Sequence, residues 1–186
     1  DVYGVPTGQQ VPRTGNSFTI DGRFATYYYE VTRQLDTAAP VVSSSQFLFE
    51  TEQKIELTFS ESIGTTLSAG DLTLVNRTTG QTLTNFFLTY DNTTRTATIR
   101  PQSTSFADGD WRLTLAAGAV PLDFFTLAGD LDRDRTVGFS DLVVLAQNYG
   151  QTGRTFGQGN VDYSPGGSVD FADLVALAQR YGTTLP

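Results

Sequence analysis

The hydrophobic positions of this chain change their period along its length. From Pro40 to Asp123 they alternate with polar residues in short runs, as in Ile55, Leu57 and Phe59 or Leu72 and Leu74, and the runs are separated by Gly, Asn, Asp and Ser. A period of two with such punctuation predicts β-strands. Phe86–Tyr90 and Thr96–Arg100, joined by Asp91–Arg95, read as a hairpin, and Trp111–Leu115 follows an Asp108-Gly109 turn. About seven short strands of this kind predict a β-sandwich. Residues 1–39 differ: a lead containing Pro and Gly runs into the strand-like, apolar series Phe18, Ile20, Phe24, Tyr27, Tyr29 and Val31. After residue 124 the spacing turns helical, with Leu142, Val143, Leu145, Ala146 and Tyr149 in one stretch and Leu174, Val175, Leu177, Ala178 and Tyr181 in another. Gly150 and Gly182 follow as helix stops. The pattern predicts a mainly β protein with a small α part: an extended arm over 1–39, a sandwich over 40–123 and a helical module over 124–186.

The two helical stretches are copies. Phe139–Gly150 returns 32 positions later as Phe171–Gly182, with nine of the twelve residues identical, which marks a duplication. Before the first helix, Asp130, Asp132, Asp134 and Asp141 stand at positions one, three, five and twelve of a twelve-residue segment. That is calcium-loop spacing. The alternation turns three carboxylates toward one centre, the Thr136 carbonyl adds a ligand, and Asp141 returns from the first helical turn to close the shell. A merely capped helix start accounts for Asp141 but not for the other three. In the second copy, counting back from Asp173 puts Asp170 and Ser168 in register and makes Pro165-Gly166 a two-residue insertion. Asn160, Asp162 and Ser164 then match positions one, three and five. With fewer carboxylates and a longer loop, this second site is expected to bind more weakly or to be a plain turn.

Composition narrows the chemistry. The chain has no Cys, no Met and no His, so disulfides, thiolate chemistry and imidazole catalysis are excluded. Any metal must be held by oxygen, which selects calcium or magnesium over zinc or copper. A net charge of −8 disfavours nucleic acid and anionic membrane surfaces as partners. From Asp123 onward eight aspartates face four arginines, an excess that two calcium ions would cancel, so metal and fold are expected to be coupled there. Removing the metal is then expected to loosen 124–186 and leave the sandwich folded. No stretch reaches the ~18 apolar residues of a membrane span, so no direct membrane insertion is expected. The start at Asp1 is expected to be that of a processed chain or of a fragment.

A calcium loop followed by a single helix, present twice and ending in Leu-Ala-Gln-x-Tyr-Gly, resembles a type I dockerin. The resemblance covers about a third of the chain and implies binding to cohesin domains in multi-protein surface assemblies. Arg135 stands where the family has glycine at loop position six, and Gly138 replaces a side-chain ligand at position nine. Loop positions ten and eleven, small hydroxylic pairs in many cohesin-binding dockerins, are here Phe139-Ser140 and Phe171-Ala172. The segments Leu57–Glu61, Leu72–Gln81 and Asp108–Leu115 more loosely resemble the bacterial Ig-like modules of large secreted surface proteins. Against that pattern, the stretch Ala119–Phe124 is short, which predicts a last strand that is abbreviated or absent.

The function expected is that of a non-catalytic, extracellular or cell-surface structural protein. Its arm would complement the sheet of another copy head-to-tail and build a filament; alternatively, the protein is an adaptor docked on a separate cohesin-like domain. A fragment of a secreted carbohydrate-active enzyme is a remote third reading. Trp111, a lone Trp beside alternating strand residues, is expected in the core, with a carbohydrate platform made with Phe86-Phe87 as the sharper alternative. Asn76 and Asn92 fit the glycosylation acceptor pattern.

Overall fold

The computed structural model describes residues 17–20, 23–26, 39–63, 67–116 and 121–186. The chain divides into two compact units, Asp1–Ala39 and Pro40–Pro186. In the first unit, β1 (Ser17–Ile20) and β2 (Arg23–Thr26) form an antiparallel hairpin with Phe18 opposite Ala25 and Ile20 opposite Arg23. Of the expected arm residues, Phe18, Ile20 and Phe24 lie on these strands, whereas Tyr27, Tyr29 and Val31 fall outside the described residues.

The second unit is mainly β, with two short helices. Its strands are β3 (Val42–Leu48), β4 (Lys54–Phe59), β5 (Leu72–Asn76), β6 (Thr82–Leu83), β7 (Phe86–Asp91), β8 (Thr96–Pro101), β9 (Gly109–Leu115) and β10 (Leu122–Thr126). They form two antiparallel sheets, ordered β3-β4-β8-β7 and β10-β9-β5-β6. The alternation has the expected consequence: Ile55, Leu57 and Phe59 of β4 are buried, as are Leu72 and Leu74 of β5, Ala97 and Ile99 of β8, and Leu113 of β9. Each large apolar side chain so buried contributes about 1.5–3 kcal/mol.

Trp111 is a core residue at 4 % exposure. Its ring stacks on Phe124 at 6.3 Å and lies 5.6 Å from Phe106. Its indole N–H donates to the Ala107 carbonyl at 2.9 Å and to the Thr126 hydroxyl at 3.2 Å, which satisfies the polar end of a buried indole. Phe87, by contrast, is 57 % exposed.

The last strand is present, contrary to the sequence expectation. β10 pairs with β9 from Leu122↔Leu113 to Thr126↔Gly109. Its alternation explains why: Phe124 packs against the core of the sheets, while the Asp123 carboxylate on the other face accepts from Arg112 Nε and Nη2 at 2.7 and 2.6 Å. The strand therefore runs across the boundary expected between Asp123 and Phe124.

After β10 come α1 (Phe139–Asn148) and α2 (Phe171–Ala178). They close over a second core of Leu127, Leu131, Val137, Leu145, Phe156, Val161, Val169 and Leu177, to which the sheets add Phe49 and Phe125. The buried stripe is shifted from the one expected. Val144 and Ala176 pack inward, while Ala146, Tyr149, Ala178 and Tyr181 are exposed. Leu145 and Leu177 lie on the inward face as expected.

Candidate metal centre

The first loop is organised by two buried aspartates that satisfy its backbone. Asp130 accepts the N–H groups of Asp134 and Arg135, both at 3.0 Å. Asp141 accepts from Leu131, Asp132 and Gly138 at 2.6, 3.3 and 2.7 Å. Both aspartates are 0 % exposed. Asp132 Oδ1 accepts from Asp134 N–H at 3.2 Å, and Asp134 Oδ1 from Thr136 N–H at 2.8 Å. The chain is thus wound around its own carboxylates, and Asp130, Asp132 and Asp134 place one oxygen each within 4.8 Å of one another. Asp141 is outside that group of three. Thr136, at loop position seven, is bridged to Thr184.

Burial pushes the Asp130 carboxyl up to about 6; the Arg135 N–H opposes this rise and the Asp141 charge adds to it. A wholly buried carboxylate beside two more acids repels its neighbours unless a cation offsets them. The donor set is all oxygen, which fits a hard divalent ion and not a thiophilic one.

The second loop repeats five of these bonds and lacks counterparts to the Arg135 N–H donation to Asp130 and the Thr136 N–H donation to Asp134. Asn160 Oδ1 accepts from Ser164 N–H at 3.1 Å, as Asp130 does from Asp134, and Asp162 Oδ1 accepts from the same N–H at 2.8 Å. Asp173 accepts from Val161, Asp162 and Asp170 at 2.7, 3.2 and 2.8 Å, the counterparts of the three donors to Asp141. Burial raises Asp173, against the pull of the N–H groups it accepts. The Pro165-Gly166 insertion is absorbed by left-handed Gly166 and Gly167, which pair with Gly153 and Arg154. Ser168 lies beside Ser164, their hydroxyls 3.2 Å apart. Asp170 caps α2 by accepting from Ala172 N–H at 2.8 Å. Polar oxygens therefore gather at both loops, but three carboxylates converge only at the first among the described residues.

The loops also fasten the helical part to the sheets, through residues that the spacing argument missed. Position four of each loop is left-handed, Arg133 at φ +64° and Tyr163 at φ +57°, and so is Arg135 at +75°. The Arg133 guanidinium sits over the rings of Phe49 and Phe125, 4.3 and 3.8 Å from their centroids, and donates to the Phe125 carbonyl at 3.1 Å. Arg135 donates to both Asp110 oxygens at 2.8 and 2.9 Å and to the Pro186 carbonyl at 2.6 Å. Tyr163 accepts from Gln53 Nε2 at 3.1 Å, and Gln53 Oε1 accepts from Phe106 N–H at 2.8 Å. From the end of α2, Arg180 Nε donates to Asp108 Oδ2 at 2.6 Å. The sequence signal available was Arg135 itself, a bulky residue where a left-handed turn favours glycine.

Asn76 is 1 % exposed. Its Nδ2 donates to the Asp108 carbonyl at 3.0 Å while its Oδ1 accepts from Thr78 and Thr79 at 3.0 and 3.1 Å. The nitrogen that a glycan would take is thus committed inside the fold. Asn92 is exposed, and its Oδ1 accepts from the Ser62 hydroxyl.

No protein-family model matches this chain, and no curated protein matches it.

Proposed function

We propose that this protein is a non-catalytic, calcium-stabilised structural component of an extracellular or cell-surface assembly, and that it associates with further copies of itself through residues 1–39. The observation that carries the calcium reading is the convergence of Asp130, Asp132 and Asp134 around one point, with Asp130 fully buried. These three would hold the ion together with the Thr136 carbonyl and Asp141, which also holds the loop around them through its three N–H donors. Asn160, Asp162, Ser164, Ser168, Asp170 and Asp173 would make the second, weaker site. The dockerin-like spacing of both loops supports this assignment. The engagement of other acids in ion pairs, among them Glu52 with Arg100, Asp110 with Arg135 and Asp108 with Arg180, supports a structural and not a catalytic role.

Calorimetric titration of calcium into chelator-treated protein tests the metal. One tight ion per chain is expected, with a weaker second, and Asp130→Ala should lose the tight one. Unchanged stoichiometry in that variant would refute the assignment. Magnesium should substitute poorly in a flexible loop of this ligand number.

A second reading is favoured by the exposure of Phe139 and Phe171, 71 % and 68 %, at the same position of each repeat. Two apolar rings presented to solvent suit a protein partner, and a cohesin-like domain would then take the place of a second copy. Deleting residues 1–35 separates the readings: mass measured by light scattering in calcium falls to the monomer if self-association is correct, and is unchanged if the helical face does the docking.

A further inference from the structure

We infer that the outer edge of β7 is the acceptor strand on which the β1–β2 hairpin of a second copy adds, so that one sheet continues from copy to copy. The inference rests on the self-association reading above and names its contact. Sheet edges are the places where backbone N–H and C=O groups can pair with another chain, and proteins blunt the edges they do not use. Of the four edges that the two four-stranded sheets show among the described residues, β6 is only two residues long. β3 is broken by a bulge between Val42 and Ser44. β10 carries Asp123, held by Arg112, and runs directly into the first loop. β7 is six residues long and unbulged, and its one charged residue, Asp91, stands at its last position, where the carboxylate accepts from Thr93 N–H at 2.7 Å. It pairs with β8 without interruption from Phe86↔Pro101 to Asp91↔Thr96 and contains no Pro, Lys or Arg. Among the described residues its backbone pairs with β8 alone. Phe87 and Thr89 are exposed along it.

The occupant follows from charge and from the hairpin. Residues 1–39 carry three arginines and four acids, a net −1, whereas residues 40–186 carry nine basic and sixteen acidic residues, a net −7. Pairing β7 with a second β7 would set two strands of the acidic unit edge to edge; pairing it with the hairpin sets that unit against a segment of net −1 instead. Two strands of four residues, paired among the described residues only with each other, are marginal in water by themselves and gain most from a sheet to join. Because donor and acceptor lie on different parts of the chain, the contact is head-to-tail and does not close, so it propagates.

The chain has no cysteine, which permits a direct test. Thr89→Cys and Ala25→Cys chains, mixed in calcium and oxidised, should give disulfide-linked heterodimers in excess of either homodimer. A chain carrying both substitutions that closes on itself, with no linked pairs in the mixture, would overturn the inference by showing the hairpin on its own sheet. Independently, Thr89→Lys puts a charge on the edge without touching the core. It should retain the circular dichroism and calcium stoichiometry of the parent while its mass in calcium falls to the monomer, and Thr89→Ser should still assemble. If the parent polymerises and Thr89→Lys polymerises equally, the acceptor is elsewhere and this inference fails while self-association stands. If the parent is a monomer, both fail.

Discussion

Asp132 and Asp141 belong to one loop, yet they act differently. Asp132 is exposed and accepts from one N–H, whereas Asp141 is fully buried and accepts from three. Asp132→Ala should therefore weaken calcium binding while leaving stability in chelator nearly unchanged. Asp141→Ala should lower stability with and without calcium, by about 2–4 kcal/mol, because it strands buried donors. Urea denaturation of both variants in each condition checks the contrast. A second expectation concerns Asn76. Asn76→Ala strands the N–H groups of Thr78 and Thr79 and the Asp108 carbonyl, at a cost of about 2–3 kcal/mol by the same measurement. At this scale the sequence is readable where a residue type has one use at one spacing, as for the loop acids. It fails at Asn76, because a three-residue acceptor pattern carries no information on burial. Gly109 supplies what was missing: it is left-handed at φ +140°, and a Cβ there would lie 2.5 Å from Asn76 Oδ1. The Asp-Gly turn seen in the sequence is where this glycine lets the asparagine in.

Among the elements, the strands with strict alternation were legible and the last strand was not. β4 and β8 bury every second residue, so period alone defines them. β10 is short and its two Phe residues serve different cores, Phe124 the sandwich and Phe125 the helical part, so it shows no clean period. The helices were legible in extent, but their inward faces were displaced because tertiary contacts chose Val144 and Ala176 over the terminal tyrosines. An ion pair also ties elements together: Arg100 on β8 donates to Glu52, in the turn before β4, at 2.9 and 3.1 Å. The bonded Arg100 guanidinium, with burial opposing and Lys54 adding, holds the Glu52 carboxyl down to about 2, from an ordinary 4.5. A depressed folded value means that this stabilisation is present above about pH 4.5 and is lost as the pH falls toward 2. With the Glu52 side chain 43 % exposed, it amounts to about 0.5 kcal/mol. Arg100→Gln should thus be slightly less stable than the parent at pH 6, the two converging near pH 2.5.

In the whole unit 40–186, the sheets and the helical part share aromatic and cationic contacts. The rings of Phe47, Phe49 and Phe156 stand in series, with neighbouring centroids 6.0 and 6.1 Å apart, and Arg133 and Tyr163 reach from the loops into the same region. Such a junction should make unfolding cooperative across it. Chelation is therefore expected to lower the melting temperature of this unit in a single transition, contrary to the independent loosening that composition and spacing predict. Hydrogen exchange on either side of Thr126 checks this, and Arg133→Ala with Tyr163→Ala should split the transition in two. Sequence could place the loops but not this coupling, since contacts between residues 53 and 163 leave no local pattern.

The repeats are interlaced as well as similar. The middle of the first loop pairs with the chain after α2, through Val137 N–H to the Thr183 carbonyl at 2.9 Å. The equivalent position of the second pairs with the chain after α1, through Gly150 N–H to the Val169 carbonyl at 2.8 Å. Neither half closes on itself; each is completed by the other. The arrangement is that of a dimer of like units contained in one chain, each half's partner supplied in cis. A synthetic peptide of residues 127–151 should accordingly stay unstructured when dilute and, in calcium, gain helix only as its concentration rises and it pairs with a second molecule of itself.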